Sequence, residues 1–190
     1  MEAEKKAALE AVLFAAGNPL TIDHLIDLLG TDKITVMNLI TNLQEELSKN
    51  ERGLTLRFVA GGYQLVTKPQ LYPYVEKLSQ IKDKKIAAPT METLAIIAFK
   101  QPITKTAIED IRGVRVDKSL AKLLELNLVE EQGRLKTIGH PIVYGTTDEF
   151  LQCFGLNSLD DLPALPESED FISELTSEQI QLLNLDNNQD

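Results

Sequence analysis

The sequence predicts a mainly α fold with small β wings, built as two tandem copies of one unit and followed by an acidic tail expected to be disordered. Three observations predict it. A self-comparison places Ala15, Pro19, Thr21, Asp27 and Gly30 over Ala98, Pro102, Thr104, Asp110 and Gly113, an offset of 83 residues, and apolar positions such as Leu20 and Ile103, Leu25 and Ile108, Leu28 and Ile111 pair around them. After the third helical segment of copy one the apolar period shortens from about 3.6 to about 2, the change from helix to strand, and copy two repeats the order with less wing. The net charge of −10 is concentrated at one end: residues 148–190 hold eleven Asp and Glu and no Lys or Arg, which leaves 18 acids against all 19 bases in residues 1–147.

Copy one opens with a helix near Lys5–Ala16, where Leu9, Val12, Leu13 and Ala16 follow the spacing of one buried face. Gly17-Asn18-Pro19 ends it. The Thr21 hydroxyl is suited to cap a second helix over Ile22–Leu29, which stops at Gly30. A third helix is expected near Thr35–Ser48, with Val36, Leu39, Ile40, Leu43 and Leu47 on one side. Leu54, Leu56 and Phe58, then Tyr63, Leu65 and Thr67, alternate about Gly61-Gly62 and read as a hairpin. Three helices and a two-stranded hairpin make a winged helix. Leu71–Ile81 reads as a closing helix.

Copy two repeats the order with helices near Thr90–Phe99, Lys105–Ile111 and Lys118–Leu126, and with wing strands at Leu128–Glu131 and Ile142–Tyr144. The expected layout is a winged-helix domain over residues 1–80, a linker over 81–89, a second winged-helix domain over 90–156, and a flexible tail over 157–190. Within that tail, Phe171–Leu175 and Ile180–Leu185 are apolar islands in an acidic, proline-containing segment.

Several function classes fall away. No apolar run approaches the roughly 20 residues of a membrane span, and the mixed start "MEAEKKAALEAVLFAAG" gives no expectation of a secretory signal. The single cysteine, Cys153, cannot close an internal disulfide, has no ligand-spaced neighbours, and reads as a packed thiol in a reducing cytosol. There is no phosphate-binding glycine loop, and His24 and His140 lack zinc-ligand spacing. No metal, cofactor or catalytic constellation is expected, so the chain reads as non-enzymatic.

A winged helix invites a DNA-binding reading, the alternative being a regulator of that kind. The third helix would enter the major groove and should offer Arg, Lys, Asn or Gln. In copy one its exposed side carries Asn38, Thr41, Asn42, Gln44, Glu45 and Glu46 and no base, so phosphate contact is disfavoured. Copy two offers Lys105, Arg112, Arg115, Lys118 and Lys122 for a weak or indirect backbone contact. The other use of the fold is to present apolar helix faces or strand edges to another chain.

"EAVLFAAGNPLT" (10–21), "LAIIAFKQPITKTAIEDIRGV" (94–114), "LLELNLVEEQGR" (123–134) and "GHPIVYGTTDEFLQCFGLNSLDDLP" (139–163) closely resemble the bacterial segregation and condensation protein B family, in order over roughly residues 1–163. His140 departs from it, standing where the family's turn is expected to carry Arg. The resemblance implies tandem winged helices, a homodimer formed through the N-terminal domain, and binding of the kleisin subunit ScpA. Through the kleisin it implies contact with the SMC ATPase heads, in a cytoplasmic, nucleoid-associated complex that condenses and partitions chromosomes at cell division. The candidate kleisin contacts are Phe99, Tyr144, Phe150, Leu151 and Phe154, which cluster in sequence around Gly145-Thr146-Thr147.

Overall fold

The computed structural model describes residues 2–78 and 86–164. The linker residues Lys82–Lys85 and both apolar islands of the tail lie outside the described residues. The first unit runs α1 (Glu2–Ala16), α2 (Ile22–Leu29), α3 (Lys33–Ser48), β1 (Leu54–Val59) and β2 (Gly62–Thr67). A short α4 (Tyr72–Val75) follows, flanked by 3-10 turns. The second unit runs α5 (Ala88–Lys100), β3 (Ile103–Thr104), α6 (Lys105–Arg112), α7 (Asp117–Glu125), β4 (Val129–Arg134), β5 (Ile142–Thr146) and α8 (Asp148–Phe154). Each copy is a winged helix.

The repeat shows in the way each second helix is bounded. Thr21 accepts the His24 amide at 3.3 Å, and Thr104 accepts the Ala107 amide at 3.2 Å. Gly30 and Gly113 close those helices in the left-handed conformation, at φ 56° and 69°. Leu20 forms an isolated bridge to Tyr63, while its counterpart Ile103 lies in β3 and pairs with Tyr144 of β5. The second wing is thus a three-stranded sheet of order β3-β5-β4, larger than the two strands expected there.

Each unit has its own core. Leu9, Leu13, Leu25, Val36, Leu39, Ile40, Leu43 and Leu47 fill the first. Leu94, Ile97, Ile103, Ile108, Val116, Leu120, Leu123, Val129, Tyr144 and Phe150 fill the second. Burial corrects the repeat register in the first helices. Leu9 and Leu13 are matched in burial by Thr93 and Ile97, one residue beyond the 83-residue offset, because Gly17 lengthens the first loop. Phe14, which lies 83 residues before buried Ile97, is 75% exposed.

Four further boundaries differ from expectation. Helix α3 begins two residues early because the Asp32 side chain caps it, accepting the Thr35 amide at 3.0 Å and the Thr35 hydroxyl at 2.7 Å. Those bonds hold the Asp32 carboxyl below its ordinary pKa. The hairpin turns on Ala60-Gly61, at φ 48° and 70°, and Gly62 is already the first residue of β2. Of the expected Leu71–Ile81 helix, residues 71–78 are described: one α turn, Tyr72–Val75, with Pro73 in its first turn, is followed by a 3-10 turn, Glu76–Leu78. Residues 157–164, assigned to the tail, continue the second unit. Ser158 and Asp161 form a capping box on a 3-10 turn, and Leu162 packs against the core. Beside this segment the Ala60 amide of the first unit donates to the Leu156 carbonyl at 2.9 Å.

Candidate partner interface

The surface that best fits a protein partner is built on α5 and α8. Along α5, Thr93, Leu94, Ile97 and Ala98 point into the core, which turns Met91 and Ala95 outward and leaves Phe99 half-buried at the edge. Pro89 occupies the first turn, where its missing amide costs nothing. The helix is fixed at its far end by Gln101. Its carboxamide accepts the Thr146 amide at 2.6 Å and donates to the Thr146 hydroxyl at 3.0 Å, locking α5 to the end of β5.

From that anchored end Thr147 starts α8. Its hydroxyl accepts the Phe150 amide at 3.2 Å and donates to the Asn127 carbonyl at 2.5 Å. Gly155 ends the helix in the left-handed region, at φ 70°. Phe150 and Phe154 therefore stand one turn apart with ring centroids 4.8 Å apart. Phe150 is 3% exposed and belongs to the core, whereas Phe154 is 47% exposed. Between α5 and α8 runs an open groove of about 210 Å³, whose lining includes Met91, Ala95, Phe99, Phe150, Phe154, Leu162 and Pro163. A second apolar hollow lies against it, formed by Ile96, Phe99, Lys100 and Ile111.

The five residues expected to bind the kleisin thus separate. Phe99, Phe150 and Phe154 share one groove. Tyr144 is buried in β5, where desolvation first and Glu131 second push its hydroxyl pKa up. Leu151 is half-buried, packs against the core and does not line the groove. Met91, Ile111, Leu162 and Pro163 were not anticipated. The first two read in sequence as ordinary helix positions, and the last two fell in the segment expected to be disordered.

The basic candidates are mostly engaged by carboxylates. Lys105 pairs with Asp117 and lies 3.8 Å from Glu109; its hydrogen bond raises its own pKa and lowers that of Asp117. Arg112 bonds Glu92 at 2.6 Å and the Thr93 hydroxyl at 3.0 Å, tying α6 to α5. Lys122 pairs with Glu125 at 2.9 Å. Arg115 and Lys118 are exposed and form no ion pair among the described residues. His140 sits at a turn with φ 43°, its carbonyl accepting from Arg134 at 3.1 Å.

Cys153 is exposed, contrary to the expected packed thiol, because α8 turns that side outward. Partial burial first and Glu149 second push its pKa up, away from a reactive thiolate. His24 is exposed on α2. Among the described residues no three His, Cys, Asp or Glu side chains are placed to hold a metal, and no helix is long and apolar enough to cross a membrane.

The first unit has apolar surface of its own. Phe14 and Ile34 are each 75% exposed, and Leu28 and Met37 are also exposed, on α1, α2 and α3.

Comparison with known proteins places this architecture in a family. The family model described as segregation and condensation complex subunit ScpB matches residues 7–165. The segregation and condensation protein B of Symbiobacterium thermophilum is 48% identical over 158 residues, covering 83% of this chain and 72% of that one. That of Moorella thermoacetica is 46% identical over 162 residues, covering 85% and 83%. A solved dimer of the ScpB N-terminal domain complexed with a ScpA peptide is 35% identical, covering 38% of this chain and 88% of that chain, with a TM-score of 0.38. The chain belongs to the family of segregation and condensation complex subunit ScpB.

Proposed function

We propose that this segregation and condensation subunit is a non-catalytic adaptor. Its first winged helix forms a homodimer, and its second binds the kleisin ScpA and, through the kleisin, the SMC ATPase heads. The complex acts on chromosomes in the cytoplasm, at the nucleoid, during cell division. Direct DNA contact is weak and confined to Arg115 and Lys118, since Lys105, Arg112 and Lys122 are already paired. A basic recognition face is what DNA affinity requires, and neither copy has one.

One observation carries this reading: Met91 and Phe154 are exposed at the α5–α8 groove, and Ile111 of α6 is exposed at the adjoining hollow, and both recesses are apolar. Aromatic residues in a desolvated groove are the usual energetic centre of an interface. On this reading the kleisin supplies an apolar segment that lies in the groove.

The test is the affinity of purified kleisin for Phe154→Ala and Ile111→Ala. Both residues are exposed, so the fold is expected to survive, which circular dichroism checks. Each variant should weaken binding by about tenfold, roughly 1.4 kcal/mol. Wild-type affinity in both would contradict the assignment of the kleisin to this face.

A further inference from the structure

The α5–α8 groove ends where the described chain ends. Leu162 and Pro163 form its lip, and Ala164 is the last described residue. The 26 residues that follow carry seven Asp and Glu and no Lys or Arg. Their first apolar island holds Phe171, Ile172 and Leu175, spaced to share one face of a single helical turn. Acids Glu167, Glu169, Asp170 and Glu174 surround it, while the exposed cation Lys100 stands beside the groove.

We propose that the segment Phe171–Leu175 of this chain docks in its own α5–α8 groove, covering Met91, Ala95, Phe99 and Phe154 while no partner is bound. Phe171 lies eight positions beyond Pro163, a reach of up to about 26 Å, ample to fold back over the groove's own lip. Tethering at that lip sets an effective concentration on the order of millimolar, so even a weak contact between three apolar side chains and the groove is populated. The acidic neighbours keep the segment soluble when displaced and are opposite in charge to Lys100 beside the groove. The second island, Ile180–Leu185, has no aromatic residue and lies further from the lip. This contact does not depend on the kleisin reading, because it forms within one chain and its test contains no partner. Where the kleisin uses the same groove, the segment becomes a competitor that it must displace.

The experiment places a photoreactive benzoylphenylalanine at Phe171 in the full chain. The protein is irradiated at low concentration, and the attachment point is mapped by mass spectrometry. The expected product has single-chain mass, with attachment in residues 88–100 or 148–163. Ala95→Glu, at an exposed position on the groove floor, should lower the yield by about fivefold or more, the scale of opposing an apolar contact with an unpaired carboxylate. Leu175→Glu should do the same while leaving the folded units untouched. A product of double mass would assign the groove to a second copy and overturn the proposal. Attachment elsewhere, no attachment, or a yield unchanged by both substitutions would overturn it as well.

Discussion

At the scale of residues, the fold depends on small polar groups repeated at matching places. Thr21 and Thr104 each satisfy an amide at the start of a second helix that has only eight residues. A helix this short gains little from propagation, so its cap is a large share of its stability. Thr104→Ala should cost about 1 kcal/mol, read as a lowered denaturant midpoint. A midpoint equal to wild type would mean that packing of Ile108 alone holds α6. These caps were legible because Thr, the helical spacing and the closing Gly recur 83 residues apart. The sorting of aromatics was not. Phe150 and Phe154 lie four apart on one helix face and differ in nothing that sequence shows, yet one fills the core and the other faces water. Burial there depends on how α8 ends against Leu156 and Leu162, which is a tertiary matter.

At the scale of elements, the wings show how a close approach fixes a fold. Gly62 opens β2 where Leu20 bridges to Tyr63, and a Cβ at Gly62 would lie 2.8 Å from the Leu20 carbonyl carbon. Gly62→Ala should therefore push the first wing off the loop between α1 and α2, costing about 1–3 kcal/mol by analogy with overpacked cores. The check is again the unfolding midpoint, together with loss of amide protection at Leu20 and Tyr63. Intact protection would show that the loop yields instead. The hairpin itself was readable from its alternation and its glycines, but the turn fell one residue earlier than expected, since Ala60 takes a positive φ as well. The segment after it was misread because apolar spacing alone favours a helix over Leu71–Ile81. Pro73 fixes where a helix can start, and the described residues give one α turn, Tyr72–Val75, followed by a 3-10 turn, Glu76–Leu78. The ordered stretch 157–164 was missed for the opposite reason. Its acidity suggests disorder, but Ser158 and Asp161 use that acidity to cap a turn that buries Leu162.

At the scale of the molecule, two cores of modest size are joined in one chain whose body is nearly neutral and whose net negative charge gathers from Asp148 onward. That distribution disfavours nucleic acid and leaves apolar surface as the main resource for recognition. The surface is divided: Phe14 and Ile34 on the first unit, and Met91, Ile111 and Phe154 on the second. The proposed function uses both surfaces, the first unit for self-pairing and the second for the kleisin. Tandem organisation and family were legible from the repeat and from the stretch 139–163. The two separate faces were not, because an exposed apolar residue and a buried one have the same helical period. The most direct test of the adaptor account is to co-purify the full chain with the kleisin and weigh the complex by light scattering or native mass spectrometry. The account predicts a stable complex containing two copies of this chain. A complex with a single copy, or no complex at all, would contradict it.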